Sequence, residues 1–428
     1  MRKSELCKAI RDEFQPQRGF GTCRTTDSTY ANIWFVIPPP PPTELSKKLP
    51  KAALKRAHLA INQRPELGDE SEVDRFVGLL FRRREALTSS RMEGTWSTID
   101  HVMTPGDEMK DASDKSATAS VRGYAEALES NFATVRKRGY KVFTPAFVKS
   151  LHQTVVSKDP TFDGTPGTIR APGKERSVVF IGGTRPENST YNPTPPEHVE
   201  RCFDEVLAWY RNQTLAESGD LGIGGMTLPI RLAVGHVHFE AVHPFQDGNG
   251  RVGRILWPFQ WLLSGLSPLY LSGFVEAHRD EYGKSLGVAQ KKLDYGPFIE
   301  FICEAIAQSH SESQNTKVAL VSLVDVWKTR AKFRRGSAAE RLLVHLIRCP
   351  IINANEVSET LDISFQAANT ALKSLVERGV VKERTGGSYN RVFAAEEVLS
   401  LIARPFGQNP DEALKKAMQL LQGVDRDE

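Results

Sequence analysis

The sequence predicts a mainly α chain with a β-hairpin flap in its middle, an N-terminal helical segment and a C-terminal winged helix-turn-helix. Three observations carry this. Apolar residues recur at helical spacing in stretch after stretch between 44 and 310. Within 168–183, two short strand-like pieces flank the turn dipeptide Pro172-Gly173. Near the C-terminal end, a helix, a short helix, a capped helix and a Gly386-Gly387 hairpin follow one another, the order of a winged helix-turn-helix.

A chain of 428 residues exceeds what one core normally serves, so several domains are expected. The composition, 40% hydrophobic and 25% charged, is that of a soluble globular protein. No apolar run is long enough for a membrane span, and the N-terminal residues lack the apolar centre of a secretory signal. The five cysteines (Cys7, Cys23, Cys202, Cys303, Cys349) are scattered and odd in number. That excludes a disulfide framework or a zinc ribbon and points to the cytoplasm. A net charge of +4 does not by itself argue for nucleic acid.

Taken in order, 1–43 is an irregular segment ending in the prolines Pro38 to Pro42, an extended stretch that serves as a linker or docks through Trp34 to Ile37. Residues 44–120 form an N-terminal helical region. There Val73, Phe76, Val77, Leu80 and Phe81 share a stripe, Arg82 to Arg84 turn outward, and 103–120 reads as a loop. The central body is placed at 121–312, a linker helix at 313–337, the winged helix-turn-helix at 338–403 and a tail helix at 404–428.

Twelve residues in the body, HPFQDGNGRVGR at 243–254, concentrate chemistry. The glycines Gly248, Gly250 and Gly253 spell GxGxxG, but a dinucleotide fingerprint needs a preceding strand, and here the pattern before it is helical. His236 and His238 are two apart on a helix and face different sides, so they do not share a metal. Pro244 ends the incoming helix at His243, and the Asp-Gly and Asn-Gly dipeptides make the turn. A new helix starting near Gly250 or Arg251 offers unpaired N–H groups to an anion. Arg251 and Arg254, three apart, share a face at that helix end and suit phosphate. Asp247 is a hard ligand for Mg²⁺ beside phosphates, and His243 can move a proton near neutral pH. The set would position a nucleoside triphosphate and deprotonate an attacking hydroxyl.

This run resembles the complete signature of the Fic family, H-P-F-x-[D/N]-G-N-G-R-x-x-R, and the likeness extends over roughly 44–310. The resemblance implies transfer of AMP from ATP to a Ser, Thr or Tyr hydroxyl of a target protein or of the chain itself. It implies His243 as general base, Asp247 as the Mg²⁺ ligand, Gly248, Asn249 and Gly250 as the phosphate cradle, and Arg251 and Arg254 as clamps on the outer phosphates. Phe245 is a core anchor. The family's kinase-like branch carries lysine where this chain has Gly250, which favours AMP transfer. Ser89, Glu93 and Gly94 in SSRMEG resemble the family's inhibitory motif, implying that Glu93 withdraws Arg254 from the γ-phosphate. The segment Ser177, Val178, Val179, Phe180 and Ile181 resembles the target-docking flap, where an extended target would pair by β-augmentation. Tyr282 lines the nucleoside pocket or is a buried aromatic.

Two further functions compete with an autoinhibited adenylyltransferase. One is removal of AMP from a modified protein, with Glu93 positioning water. The other is a DNA-binding regulator with the body as sensor. Against it, the recognition helix SFQAANTALKSL carries only Lys373 as a cation, and Lys382, Arg384 and Arg391 flank the wing. DNA and protein are the alternative partners of that module, and a homodimer is the alternative to a monomer.

Overall fold

A computed structural model describes residues 1–45, 49–68, 70–103, 112–183, 185, 188–218, 226–385 and 391–421. Helices dominate, and the sheets are small: two antiparallel strands, Gly21–Cys23 and Phe35–Ile37, and a three-stranded sheet near the C-terminal end. No helix among the described residues is long and apolar enough to cross a membrane.

Two consecutive helices, Leu228–Val242 and Asn249–Leu263, pack against each other at the centre. Every residue of the first is buried, which explains its apolar character on all sides. Around this pair lie Pro145–Val156, Pro196–Arg211 and the long helix Gly296–Ala331. Helix Glu72–Met92 crosses the assembly. Ser71 starts it with a reciprocal capping box: its hydroxyl accepts from Asp74 N–H, and the Asp74 carboxylate accepts from Ser71 N–H. One large buried apolar cluster runs from Ile37 to Ala413, and a smaller one joins Leu6, Ile10 and Val36 of the N-terminal segment to Tyr191 and Ala241.

The N-terminal segment docks. Phe35, Val36 and Ile37 are buried, Val36 N–H donates to the Asn192 carbonyl, and the Pro42 carbonyl accepts from the Trp209 indole at 2.9 Å. The C-terminal module comprises helix Ala338–Arg348, strand Ile351–Asn353, helices Ala354–Leu361 and Phe365–Glu377, and strands Lys382–Glu383 and Val392–Ala394. Its strand Ile351–Asn353, too short to show a period, pairs with Val392–Ala394. The hairpin tip at Gly386-Gly387 lies outside the described residues.

Several expectations need correction. The arms of the hairpin predicted within 168–183 do not pair with each other. Ile169 bridges Phe245, and Ile181 bridges Tyr191. The side chain of Arg170 closes the loop instead, donating to the Ser177 carbonyl at 3.0 Å. The loop expected over 103–120 is helical from Ala112 onward, since helix Ala112–Glu129 begins there, while 104–111 lie outside the described residues. Arg84 does not turn outward with its neighbours. It is buried, bonded to Glu312 and to the Arg404 carbonyl. The boundary drawn between 312 and 313 falls inside the unbroken helix Gly296–Ala331.

Candidate active site

The sharp reversal between the two central helices uses two left-handed residues. His243, the C-cap of the first helix, has φ 51°, and Gly248, the N-cap of the second, has φ 79°. A non-glycine residue in this region is costly and needs outside support. Arg170 supplies it. Its guanidinium is buried and donates to the carbonyls of His243 (2.8 Å), Val242 (2.9 Å), Thr194 (2.8 Å) and Ser177 (3.0 Å). No carboxylate pairs with it among the described residues, and burial lowers its pKa to about 9.

Asn249 braces the same turn. Its side chain accepts from Phe245 N–H and donates to the Phe245 carbonyl, both at 2.9 Å. Its amide is therefore spent on the loop, and only its backbone N–H is left for a ligand. The N–H groups of Asn249, Gly250 and Arg251 have no hydrogen-bond partner among the described residues, as the first turn of a helix dictates. Asp247 is half-exposed; one oxygen accepts from Gly248 N–H at 2.6 Å, and the other lies 3.6 Å from Arg251.

His243 lies beside these groups. Its Nδ1 is 3.5 Å from Oε2 of Glu240, one helical turn earlier. Burial opposes ionisation of Glu240, but hydrogen bonding to His243 and the nearby His236 and Arg254 outweigh it and hold the carboxyl below its ordinary range. His152 supports the turn from beneath. It stacks on Phe245 at 3.9 Å, with Nε2 on the Asp247 carbonyl and Nδ1 accepting from Gly167 N–H. Burial pushes its pKa down to about 4, which keeps the ring neutral.

The two arginines are buried and separately engaged. Arg251 binds Asp159 at 2.5 Å and Ser120 at 3.3 Å. Arg254 donates from Nε to the Ser89 hydroxyl (2.8 Å) and from Nη2 to the Ser89 carbonyl (3.0 Å) and Glu93 Oε1 (2.6 Å). Burial works against charge on Arg254, but Glu93 outweighs it and raises the pKa. Glu93 is the C-cap of helix Glu72–Met92, followed by Gly94 at φ 88°. Its carboxylate lies over the start of the second central helix. A Cβ added at Gly250 would sit 2.3 Å from Glu93 Oε1.

Other candidates sit elsewhere. His236 and His238 are core residues, each bonded at 2.7 Å to a tyrosine hydroxyl, Tyr282 and Tyr295 respectively. Ser177 is buried, its hydroxyl donating to Ala171 and Lys174 carbonyls, so it braces the loop. Ile181 is occupied by Thr190 and Tyr191. Val178, Val179 and Phe180 keep backbone groups without partners among the described residues, and Phe180 leans on Tyr30 and Phe35.

No cluster of three metal-ligating side chains occurs among the described residues. Asp247 alone, half-exposed beside free N–H groups, fits a Mg²⁺ ion that takes its remaining ligands from phosphates and water. Asp159, Glu240, Arg170 and His152 were missed in the sequence. They are scattered singly, and only Glu240, three before His243, carries a local spacing signal.

Residues 142–260 match the Fic/DOC family, and residues 52–133 match the N-terminal region of the Fic/DOC family. The chain is 31% identical over 206 residues to protein adenylyltransferase fic-1 of Caenorhabditis elegans, a match covering 48% of this chain and 33% of that protein. It is 28% identical over 138 residues to a probable protein adenylyltransferase of Aquifex aeolicus, covering 30% of this chain and 38% of that one. The chain thus spans well under two thirds of these relatives' length. A crystal structure of a Fic family protein from Desulfovibrio desulfuricans G20 shares the fold, with a TM-score of 0.50 at 18% identity over 83% of this chain and 98% of that chain. The two matched regions lie in order along the chain, and the second contains the reversal at 243–254, so 52–133 and 142–260 are Fic/DOC family regions.

Proposed function

We propose that the chain is an autoinhibited protein adenylyltransferase, moving AMP from ATP to a hydroxyl side chain of a target protein or of itself. The observation that carries this reading is the start of helix Asn249–Leu263: three unpaired N–H groups lie beside His243, with Glu93 held over Gly250 by Arg254. The names of the relatives support it.

In this reading the N–H groups of Asn249 to Arg251 receive phosphate oxygens. Arg254, once released from Glu93, reaches the outer phosphate. Asp247 would hold a Mg²⁺ ion, which supplies charge neutralisation on the phosphates when bound. His243 takes the proton of the target hydroxyl through Nε2. The oxygen attacks the α-phosphorus, the bond to the bridging oxygen of the β-phosphate breaks, and pyrophosphate leaves. Val178 to Phe180 offer free backbone groups to an extended target strand. Glu93 blocks the cycle by occupying both Arg254 and the anion site.

Incubating purified Glu93→Gly protein with ATP and Mg²⁺ tests the reading by intact-mass spectrometry. The expected result is an AMP adduct, at least about 10-fold more abundant than in the unsubstituted chain and absent from Glu93→Gly/His243→Ala. An unlabelled Glu93→Gly protein would contradict it. The second oxygen of Glu93 has no partner among the described residues, which favours one alternative: water positioned there could remove AMP. Glu93-dependent AMP release from a modified protein would identify that reaction.

A further inference from the structure

We propose that Glu240 is the positioning residue for His243, holding the ring proton on Nδ1 so that Nε2 faces the incoming hydroxyl as the base. This rests on the reading of His243 as base. The geometry has four parts. Glu240 Oε2 lies 3.5 Å from His243 Nδ1. That nitrogen is buried and makes no hydrogen bond of ordinary geometry among the described residues, which leaves the Glu240 carboxylate as the acceptor placed nearest to it. His243 Nε2 has no protein partner there either, which leaves it for substrate. Arg170 fixes the backbone carbonyl of His243 at 2.8 Å, so the main chain that carries the ring is held in place.

The surroundings of Glu240 support a role of this kind. The groups around it are His236 and His243 from its own chain segment, Arg254 from the facing helix, Tyr282 from Arg279–Lys292, and Tyr210 from Pro196–Arg211. Gly253 makes room for the carboxylate: a Cβ there would sit 3.1 Å from Oε1. A buried carboxylate is costly without a donor, and Oε1 has none among the described residues. The Nδ1–H of His243, 3.5 Å from Oε2, is the donor placed to serve the other oxygen. A carboxylate that receives Nδ1–H selects the tautomer whose Nε2 lone pair can accept a proton, and it stabilises the imidazolium that forms.

The test uses the full chain labelled with ¹⁵N-histidine, the His243 signals being identified by their loss in His243→Ala. The expected wild-type spectrum at alkaline pH shows the Nδ1–H tautomer. Glu240→Leu should lose that preference, and Glu240→Gln, whose amide oxygen still accepts, should keep it. In a Glu93→Gly background, Glu240→Leu should lower kcat about 10- to 100-fold with KM for ATP within about two-fold, and Glu240→Gln should recover most of the loss. An Nε2–H tautomer in the wild type overturns the proposal. So does a folded Glu240→Leu protein with unchanged kcat, or with a loss confined to KM. Should Glu240→Leu not fold, the wild-type spectrum decides. Failure of AMP transfer in Glu93→Gly alone strikes the adenylyltransferase reading and leaves the tautomer result standing.

Discussion

Arg254 and Arg251 are one turn apart on the same helix, yet they stand in different situations. Asp159, which holds Arg251, is itself held by Ser120 and Thr161 and has little freedom to leave. Glu93 sits at a helix end and is partly exposed. The first pair is therefore a brace, and the second is the one that the proposed autoinhibition requires to open. Asp159→Asn would strand a buried guanidinium, and urea denaturation should show a loss of about 3–5 kcal/mol. The same pair sets an acid limit. Burial favours the neutral form of Asp159, but its bonds to Thr161 and Arg251 and the charge of Arg251 win, so its folded pKa lies below the ordinary 3.8. A depressed carboxyl pKa gives stability that is present above the unfolded value and lost as pH falls through the folded one. Thermal melts from pH 5 down to pH 2 should fall more steeply in the unsubstituted chain than in Asp159→Asn.

Helix Glu72–Met92 determines where Glu93 sits, so its two ends control the proposed latch. The capping box of Ser71 with Asp74 fixes one end, and Gly94 in the left-handed region closes the other. Gly94→Ala should cost about 1 kcal/mol, fray the last turn and raise AMP labelling several-fold without touching the nucleotide site. Unchanged labelling in a measurably destabilised Gly94→Ala protein would show that the latch does not depend on that turn. Much at this scale was legible in the sequence. Pro244 and the Asp-Gly and Asn-Gly dipeptides gave the turn between the central helices, and the ending at His243 follows from local sterics. The flap was less legible. A Pro-Gly turn between β-formers suggests a hairpin, but whether the arms pair with each other depends on distant groups. Here Phe245 and Tyr191 take the backbone bonds instead. The helical start at Ala112 was hidden by a polar, Ser- and Ala-rich stretch without a clear apolar stripe.

Across the whole molecule, the chain just past the C-terminal module is joined through the long helix Gly296–Ala331 to helix Glu72–Met92 by buried charge. Arg84 and Arg404 both bind Glu312, at 3.0 and 2.8 Å. Arg384 in the module reaches Asp100, just beyond the latch. No periodicity argument finds such a triad, because it joins three elements far apart in sequence; the outward placement of Arg84 was the natural reading of an Arg-rich helix face. Glu312→Leu would leave two buried cations without their shared carboxylate. It should lower the melting temperature and raise AMP labelling, since the latch helix loses its anchor. Several cations in and beside the module are already paired. Arg384 pairs with Glu396, Arg391 with Glu383, and Arg330 of the long preceding helix with Glu397. Its third helix exposes Phe365 and Lys373. With so few free cations for phosphate, gel shifts with random duplex DNA should show no binding at physiological salt. A salt-dependent shift would make DNA the module's partner.

The central claim is that the helix starting at Asn249 grips a triphosphate once Glu93 is gone. A crystal structure of the Glu93→Gly chain with Mg²⁺ and a non-hydrolysable ATP analogue tests it most directly. Phosphate oxygens should lie on the N–H groups of Asn249 to Arg251, with Arg254 turned from Ser89 onto the outer phosphate and His243 Nε2 open toward the α-phosphate. Nucleotide bound elsewhere, with Arg254 still on Ser89, would contradict it.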